Sequence, residues 1–397
     1  MRYLSADVVH PITGLPITHG VVQLDDHGTV VRTGPAADFN DVPHVETYAG
    51  ALVPGFVNTH CHLELSHMLG RIPTGTGLVL FIQQVVGTRD AVDEAGILAA
   101  IERADSMMYE AGIVAVGDIS NKVDTAAVKA ASQIAYHTFV EHFDFWQPEK
   151  AAETFAGYAE VHAGFVAAGA DRNGNRLSHV PHAPYSVSPE LFGRINAANP
   201  ADVTVSIHNQ ETPGEQAMFR DKSGDLLALF EQFGMRYDHF SASGKGSIHY
   251  ALQHLDPQQR TLFVHNTLTS AADIKAAHAW SDRVYWATCA NANLYIENRL
   301  PNYQCFLDTG AKMTIGTDSL SSNWQLSVLE ELKTIARYQS YLSTETLLQW
   351  ATLNGAEALG FAETLGSFEA GKRPGVNLIS LDGRGKIGPD SRVRRLV

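Results

Sequence analysis

Eight apolar, often β-branched segments recur through the middle of this 397-residue chain, at 52–60, 112–120, 134–143, 177–187, 203–211, 261–267, 284–292 and 312–319. Helix-like stretches lie between most of them, at 91–111, 122–133, 149–169, 189–198 and 270–281. Strands separated by helices read as βα units on a parallel sheet. Eight is the number that closes a (β/α)8 TIM barrel. An open doubly wound sheet is the alternative; it often carries a glycine-rich phosphate loop, and neither GxGxxG nor GxxxxGK[ST] occurs here.

The two ends read differently. Gly20–Leu24 and Thr29–Arg32 flank the polar turn Asp25-Asp26-His27-Gly28, as a hairpin would, and Gly375–Leu381 is again strand-like before Asp382-Gly383. Residues 1–50 with 367–397 are therefore expected to form a small β-sandwich domain from both termini, and 51–366 the barrel. The segment 212–260 is long for a single connection and carries Phe219, Leu226, Leu227, Leu229, Phe230 and Phe233 at helical spacing, which predicts a helical insertion or lid.

Composition narrows the partners. The formal charge of −14 argues against nucleic acid and against anionic membranes. Three widely spaced cysteines, Cys61, Cys289 and Cys305, are no disulfide framework. The first residues, Met1-Arg2-Tyr3-Leu4-Ser5-Ala6-Asp7, lack a signal-peptide core, and no apolar run has the roughly 20 residues of a membrane helix. A cytoplasmic protein acting on a small molecule is expected, with a homodimer left open.

The chemistry collects at strand ends, where a barrel of this type places its functional groups. The first strand delivers His60-Cys61-His62, two imidazoles that alternation puts on one face, with Cys61 pointing away. Strand four ends in Pro181-His182-Ala183-Pro184-Tyr185, strand five in His208-Asn209-Gln210-Glu211, strand six in His265-Asn266, and strand eight in Asp318-Ser319. Any one has a plain alternative: a hydrogen-bonded rim histidine, or for Asp318 a helix cap. Five histidines and an aspartate at equivalent positions on five strands are hard to dismiss as placement by chance.

Three imidazoles and a carboxylate, from His60, His62, His208 and Asp318, can hold one divalent metal and leave a position open for water. The ion would acidify that water, Asp318 could accept its proton, and His265 could orient it or complete the metal shell. Glu211, three residues past His208, suits a proton shuttle; its alternative is an exposed loop or cap residue. Glu64, two residues past His62, would share the metal face if the strand continued, and could meet ribose hydroxyls or a polar ring edge; a rim salt bridge is the alternative. Glu141, His142 and Trp146 near the end of strand three, and His67, Asn121, Asn293 and Trp324, are further pocket candidates. His239, His249 and His254 read as surface groups.

Together, Pro54–His62, His182–Ser188, His208-x-x-Glu211, Val264-His265-Asn266 and Gly316–Asn323 resemble the amidohydrolase superfamily, in its aminohydrolase (deaminase) branch, over nearly the whole chain. The resemblance implies the TIM barrel with a terminal sandwich. It implies His60, His62, His208 and Asp318 as metal ligands, His265 as the residue that positions the attacking water, Glu211 as shuttle, and His182 as a substrate contact. Binuclear members carry a carboxylated lysine late in strand four; Leu177–His182 has none, which implies one metal, usually zinc and sometimes iron. The run His182–Ser188 is similar to that of adenosine, methylthioadenosine and S-adenosylhomocysteine deaminases. His62–Ser66, Gly117–Asn121 and Thr261–Asn266 look more like aminodeoxyfutalosine deaminases of menaquinone synthesis. The usual Cys-Pro-x-Ser-Asn run is replaced by Cys289-Ala290-Asn291-Ala292-Asn293, which puts substrate contacts there, Asn293 included, in question.

The expected activity is hydrolytic deamination of an aminopurine or adenosine-type nucleoside. Guanine deamination, or chlorohydrolase or amidase chemistry on the same site, is the nearest rival. A non-catalytic barrel binding protein is the rival of a different class.

Overall fold

The computed structural model describes residues 1–397 as an α/β protein with two four-stranded parallel sheets and one seven-stranded terminal sheet. The first parallel sheet runs, in order, Phe56–Cys61, Ile113–Ser120, Ala135–His142 and Arg176–Pro181. The second runs Thr204–Asn209, Arg260–His265, Val284–Thr288 and Met313–Ile315. Each falls on one of the eight expected segments, most of them shortened and three extended by one residue, at Cys61, Arg176 and Arg260. Their residues are buried on both faces, which is why they read as nearly continuous apolar runs rather than as alternating ones.

The two sheets meet at two seams. The amide of His208 donates to the carbonyl of His182 at 2.9 Å, and the amides of Thr317 and Asp318 both donate to the carbonyl of His60 at 3.0 Å. Cys61 and Asp318 form an isolated parallel bridge. Both seams therefore lie at strand ends that carry histidine or aspartate, so the backbone bonds that join the sheets also set the side chains of the site.

The helices between strands begin where capping chemistry permits. Asp93 accepts from the amide of Gly96 at the start of Glu94–Glu110, and Ser188 from that of Leu191 before Pro189–Ala198. Ser270 and Asp273 form a reciprocal capping box ahead of Ala271–Trp280. The insertion contains three helices, Pro213–Asp221, Asp225–Gln232 and Ser247–His254. Phe219, Leu226, Leu227, Leu229 and Phe230 are buried, as their spacing predicts, while Phe233 is left half-exposed. Tyr250 and Phe240 of the insertion pack against Trp146, with ring centroids 4.8 and 4.6 Å away.

One expected strand divides. The apolar run at 52–60 is not one strand. Glu46–Pro54 belongs to the terminal sheet, and Phe56–Cys61 opens the first parallel sheet. Gly55 is the pivot: a Cβ there would lie 2.2 Å from Val114 Cγ1 and 2.6 Å from the Pro374 carbonyl oxygen, so no side chain fits where the chain changes sheets. The terminal strands form one hydrogen-bonded seven-stranded sheet. Its order is Val393–Arg395, Val376–Ile379, Glu46–Pro54, Arg2–Val9, Gly20–Leu24 and Val30–Pro35, with Ile17–Thr18 also on Arg2–Val9. It has its own apolar cluster, which includes Leu4, Val9, Val22, Leu24, Leu52 and Phe368. No helix of the chain is long and apolar enough to cross a membrane.

Candidate metal centre and active site

His60, His62 and Asp318 converge at the ends of strands one and eight. His60 Nε2 is 3.2 Å from His62 Nε2 and 3.6 Å from Asp318 Oδ1, and His62 Nε2 is 3.4 Å from the same oxygen. Ligands held at about 2.1 Å around a tetrahedral centre stand about 3.4 Å from one another. All three measured edges match that spacing. Gly316 makes the approach possible, because a Cβ there would meet both His60 Cβ and Cys289 Sγ at 2.8 Å.

His208 lies beside them. Its Nδ1 donates to the His182 carbonyl at 2.8 Å, a tautomer that leaves Nε2 bare for a ligand role. Its ring lies 4.9 Å from that of His60 and 5.5 Å from that of His62. His265 stacks on His208 with centroids 5.5 Å apart, and its Nδ1 donates to Asn293 Oδ1 at 2.9 Å. The ligating atoms of His60, His208 and His265 form one candidate metal group, and those of His60, His62 and Asp318 another. Cys61 belongs to neither and is buried in the core, as strand alternation requires.

Backbone strain marks the same positions. His265, Asp318 and Gln210 adopt φ of +70°, +58° and +48°, values that side-chain-bearing residues hold only where the surroundings impose them. Asp318 is pinned further by Ser322, whose hydroxyl donates to Oδ2 at 2.6 Å. Behind Glu211, the carboxylate of Glu215 accepts the amides of Gln210 and Glu211 at 3.0 and 2.8 Å, which fixes the loop that carries the shuttle candidate.

Burial controls the electrostatics. Desolvation drives His62 down to about 3 and His182 to about 4, and holds His60 and His208 below the usual imidazole range. All four are neutral at pH 7, the form that ligates metals. For Asp318, burial alone would raise the pKa; the hydrogen bond to His60 and the nearby His62 and His265 outweigh it and keep the carboxylate ionised. Glu211 shows the opposite balance. Burial pushes it up to about 7 against the pull of His265, whose Nε2 is 3.8 Å from Glu211 Oε1. Burial disfavours the charged form of His265 too, but Glu211 and Asp318 overcome it and raise its pKa.

The cluster opens into one cavity. Its floor is His62, His182, His208, His265, Glu211 and Asp318. Its walls are apolar, with Leu65, Phe81, Ile82, Val85, Phe145 and Phe233 prominent. The helix Leu78–Thr88 supplies much of this wall, Phe230 and Phe233 at the end of the insertion's Asp225–Gln232 add to it, and Gln83 and Gln232 link the two helices at 3.2 Å.

Among the expected substrate contacts, His182 lines the cavity; its Nδ1 lies 2.6 Å from Ser186 Oγ. Since Ser186 donates to the Ala183 carbonyl, His182 Nδ1 is the donor in that pair, and Nε2 is left bare. Two others are placed elsewhere. Glu64 does not line the cavity, because the strand ends at Cys61 and Leu63–Met68 forms a 3-10 turn. Its carboxylate accepts the amides of Asn121 and Lys122 at 2.9 and 3.1 Å and pairs with Arg89 at 3.2 Å. Asn293 supports His265 instead of facing the cavity. Trp146 is buried against the insertion, and Trp324 is 56% exposed beside Tyr295. Strand three alternates as a strand should: Glu141 faces the cavity, while His142 turns outward onto Phe155, Tyr158 and His179.

Comparison with known proteins places this architecture. The amidohydrolase family model matches residues 51–392. The chain belongs to the amidohydrolase family. It is 25% identical to an adenosine deaminase of Helicobacter pylori over 90% of this chain and 88% of that one. It is 27% identical to a 5-methylthioadenosine/S-adenosylhomocysteine deaminase of Halalkalibacterium halodurans over 90% of this chain and 79% of that protein. Among solved structures, Helicobacter pylori aminofutalosine deaminase in complex with methylthio-coformycin superposes with a TM-score of 0.78 at 21% identity, covering 96% of this chain and 93% of that one. An adenosine deaminase from Xanthomonas campestris with bound zinc superposes at 0.74 and 24% identity, covering 96% and 85%. The expected class, a hydrolase acting on C–N bonds, agrees with this membership.

Proposed function

We propose that this amidohydrolase is a metal-dependent hydrolytic deaminase of an adenosine-type nucleoside, working on a small soluble substrate in the cytoplasm. One observation carries the reading: His60, His62 and Asp318 meet at tetrahedral spacing with the His208 ring beside them, next to the buried Glu211, at the floor of an otherwise apolar cavity. Its scaffold, in this reading, is a closed eight-stranded barrel sealed at the two seams, with the small terminal domain bordering it at Gly55.

His60, His62, His208 and Asp318 would hold one divalent ion. Their three nitrogens and one oxygen suit zinc, and imidazole-rich sites also accept iron. When bound, the ion supplies Lewis acidity and a water acidified toward pH 7. The protein's own residues do the rest. Asp318, ionised and steadied by Ser322, accepts the attacking water's first proton at Oδ1 and returns it to the departing amino group. Glu211, balanced near pH 7, delivers a proton to a ring nitrogen and takes up another as ammonia leaves. His265, held by Asn293, orients the attacking water through Nε2. His182 presents a bare Nε2 to the bound ring, and the apolar walls exclude bulk water.

The cavity also limits the nucleoside. Arg89 is the only Lys or Arg lining it and is engaged by Glu64, so nothing is set aside for a 5′-phosphate. The wall of Phe81, Ile82, Val85, Phe230 and Phe233 favours an apolar or aromatic 5′-substituent, as in methylthioadenosine or aminodeoxyfutalosine.

An ammonia-release screen of metal-replete protein tests the reading. It should include adenosine, methylthioadenosine, S-adenosylhomocysteine, aminodeoxyfutalosine and guanine. Turnover is expected with 5′-substituted adenosines above adenosine. No ammonia from any nucleoside, with chloride or amide release from other substrates, would move the chain to another branch of the family.

A further inference from the structure

The cavity floor holds one polar group that the deamination chemistry does not use. Glu141 lines the cavity at the end of Ala135–His142 and is 3% exposed. Its Oε2 accepts from Asn121 Nδ2 at 3.2 Å, and Asn121 is itself on the cavity wall. Its Oε1 is buried without a hydrogen-bond partner. The nearest candidate donor, His208 Nδ1 at 3.4 Å, already gives its proton to the His182 carbonyl. A buried carboxyl oxygen without a partner is costly, and a ligand hydroxyl would satisfy it.

Glu64 cannot take that role. Two backbone amides and Arg89 occupy its carboxylate, and it lies behind the wall. Glu211 and Asp318, the other carboxylates on the cavity, face the reaction centre. Glu141 is thus the only lining acid free for the rest of a substrate, and it lies beside His182 and His208.

We infer that Glu141, oriented by Asn121, is the residue that recognises the ribose hydroxyls, and that it makes this site selective for ribonucleosides over 2′- or 3′-deoxyribonucleosides. The inference rests on the adenosine-type reading above. A site built to receive a substrate hydroxyl rejects the analogue lacking it, because its own polar group is then left unpaired.

The test compares kcat/KM of the metal-replete enzyme for 5′-methylthioadenosine and its 2′-deoxy and 3′-deoxy analogues, in wild type, Glu141→Gln and Glu141→Ala, with metal content measured on each protein. Wild type should prefer the ribonucleoside by roughly 10- to 100-fold. Both variants should keep their metal and lose most of that preference, chiefly through the ribonucleoside. Three results overturn the assignment: no preference in wild type, preference preserved in the variants, or equal losses on all three substrates with loss of metal, which would make Glu141 a support for His208. Wild type that releases ammonia from none of the nucleosides fails differently, since it removes the deaminase reading itself.

Discussion

The strand ends and the helical wall face each other across one cavity and are built on opposite terms. At the strand ends, side chains are buried, polar and interlocked. Asp318 is fixed by Ser322, His265 by Asn293, His208 by a carbonyl, and two of these residues sit on a left-handed backbone. Across the gap, Leu78–Thr88 and the end of Asp225–Gln232 contribute apolar side chains held mainly by packing, and Val86 and Phe233 are 60% and 44% exposed. Polar networks specify one arrangement because each lost partner leaves a buried group unsatisfied. An apolar wall tolerates exchange of one hydrocarbon for another. Reaction chemistry therefore belongs to the rigid side, and the choice of substituent to the wall.

That contrast can be broken at several places. Asp318→Ala or His60→Ala should remove the metal and abolish turnover; elemental analysis beside an ammonia assay checks both, and an active metal-free variant would break the contrast outright. Glu211→Gln should keep the metal and lower kcat by about 10²- to 10⁴-fold. Retained activity would return Glu211 to a loop support. Asn293→Ala and Ser322→Ala act through the residues they hold, and should weaken metal binding or activity by about 10- to 100-fold, measured by competition with a chelator. On the apolar side, Phe81→Ala or Phe233→Ala should raise KM for a 5′-substituted nucleoside by about 3- to 10-fold and leave adenosine nearly unchanged. An equal effect on both substrates would mean that the wall serves the chemistry too.

The smallest effect concerns histidines away from the site. Burial holds His142 down to about 2 and His179 to about 4, with their rings 2.9 Å apart between Nε2 and Nδ1. The unfolded chain takes up these protons below about pH 6.5 while the fold resists them, so their contribution is intact above pH 6.5. It declines as pH falls through 6.5 toward 4, by up to about 1.4 kcal/mol per pH unit for each histidine. Denaturant melts across that window should show the decline, and His142→Phe should flatten it. An unchanged slope would assign the acid sensitivity to the other buried histidines, His137 and those of the metal site among them.

What could be read in the sequence follows the same division. The strand ends were legible because alternation ties a residue's position to the face it serves, so His60, His62, His208, His265, Asp318 and Glu211 could be collected without contacts in hand. The same rule misplaced Glu64, because a 3-10 turn replaced the strand just past His62. It left Asn293 facing substrate in expectation, when its partner is a histidine on another strand. Gly55 was the sole sign that the run at 52–60 changes sheets, and its meaning depends on Val114 and Pro374, which are distant in sequence. The aromatic wall was visible only as helical spacing, which reports burial and not what is buried beside it. The resemblance to deaminases covered the chemistry, while Glu141 was one of several pocket candidates until its unpaired oxygen set it apart.

The most direct test of a metal-dependent deaminase is ammonia release from a 5′-substituted adenosine, followed as metal-free protein is titrated with zinc. The rate should rise in proportion to bound metal and level off near one ion per chain. A rate independent of metal occupancy, or one that needs two ions, would contradict it.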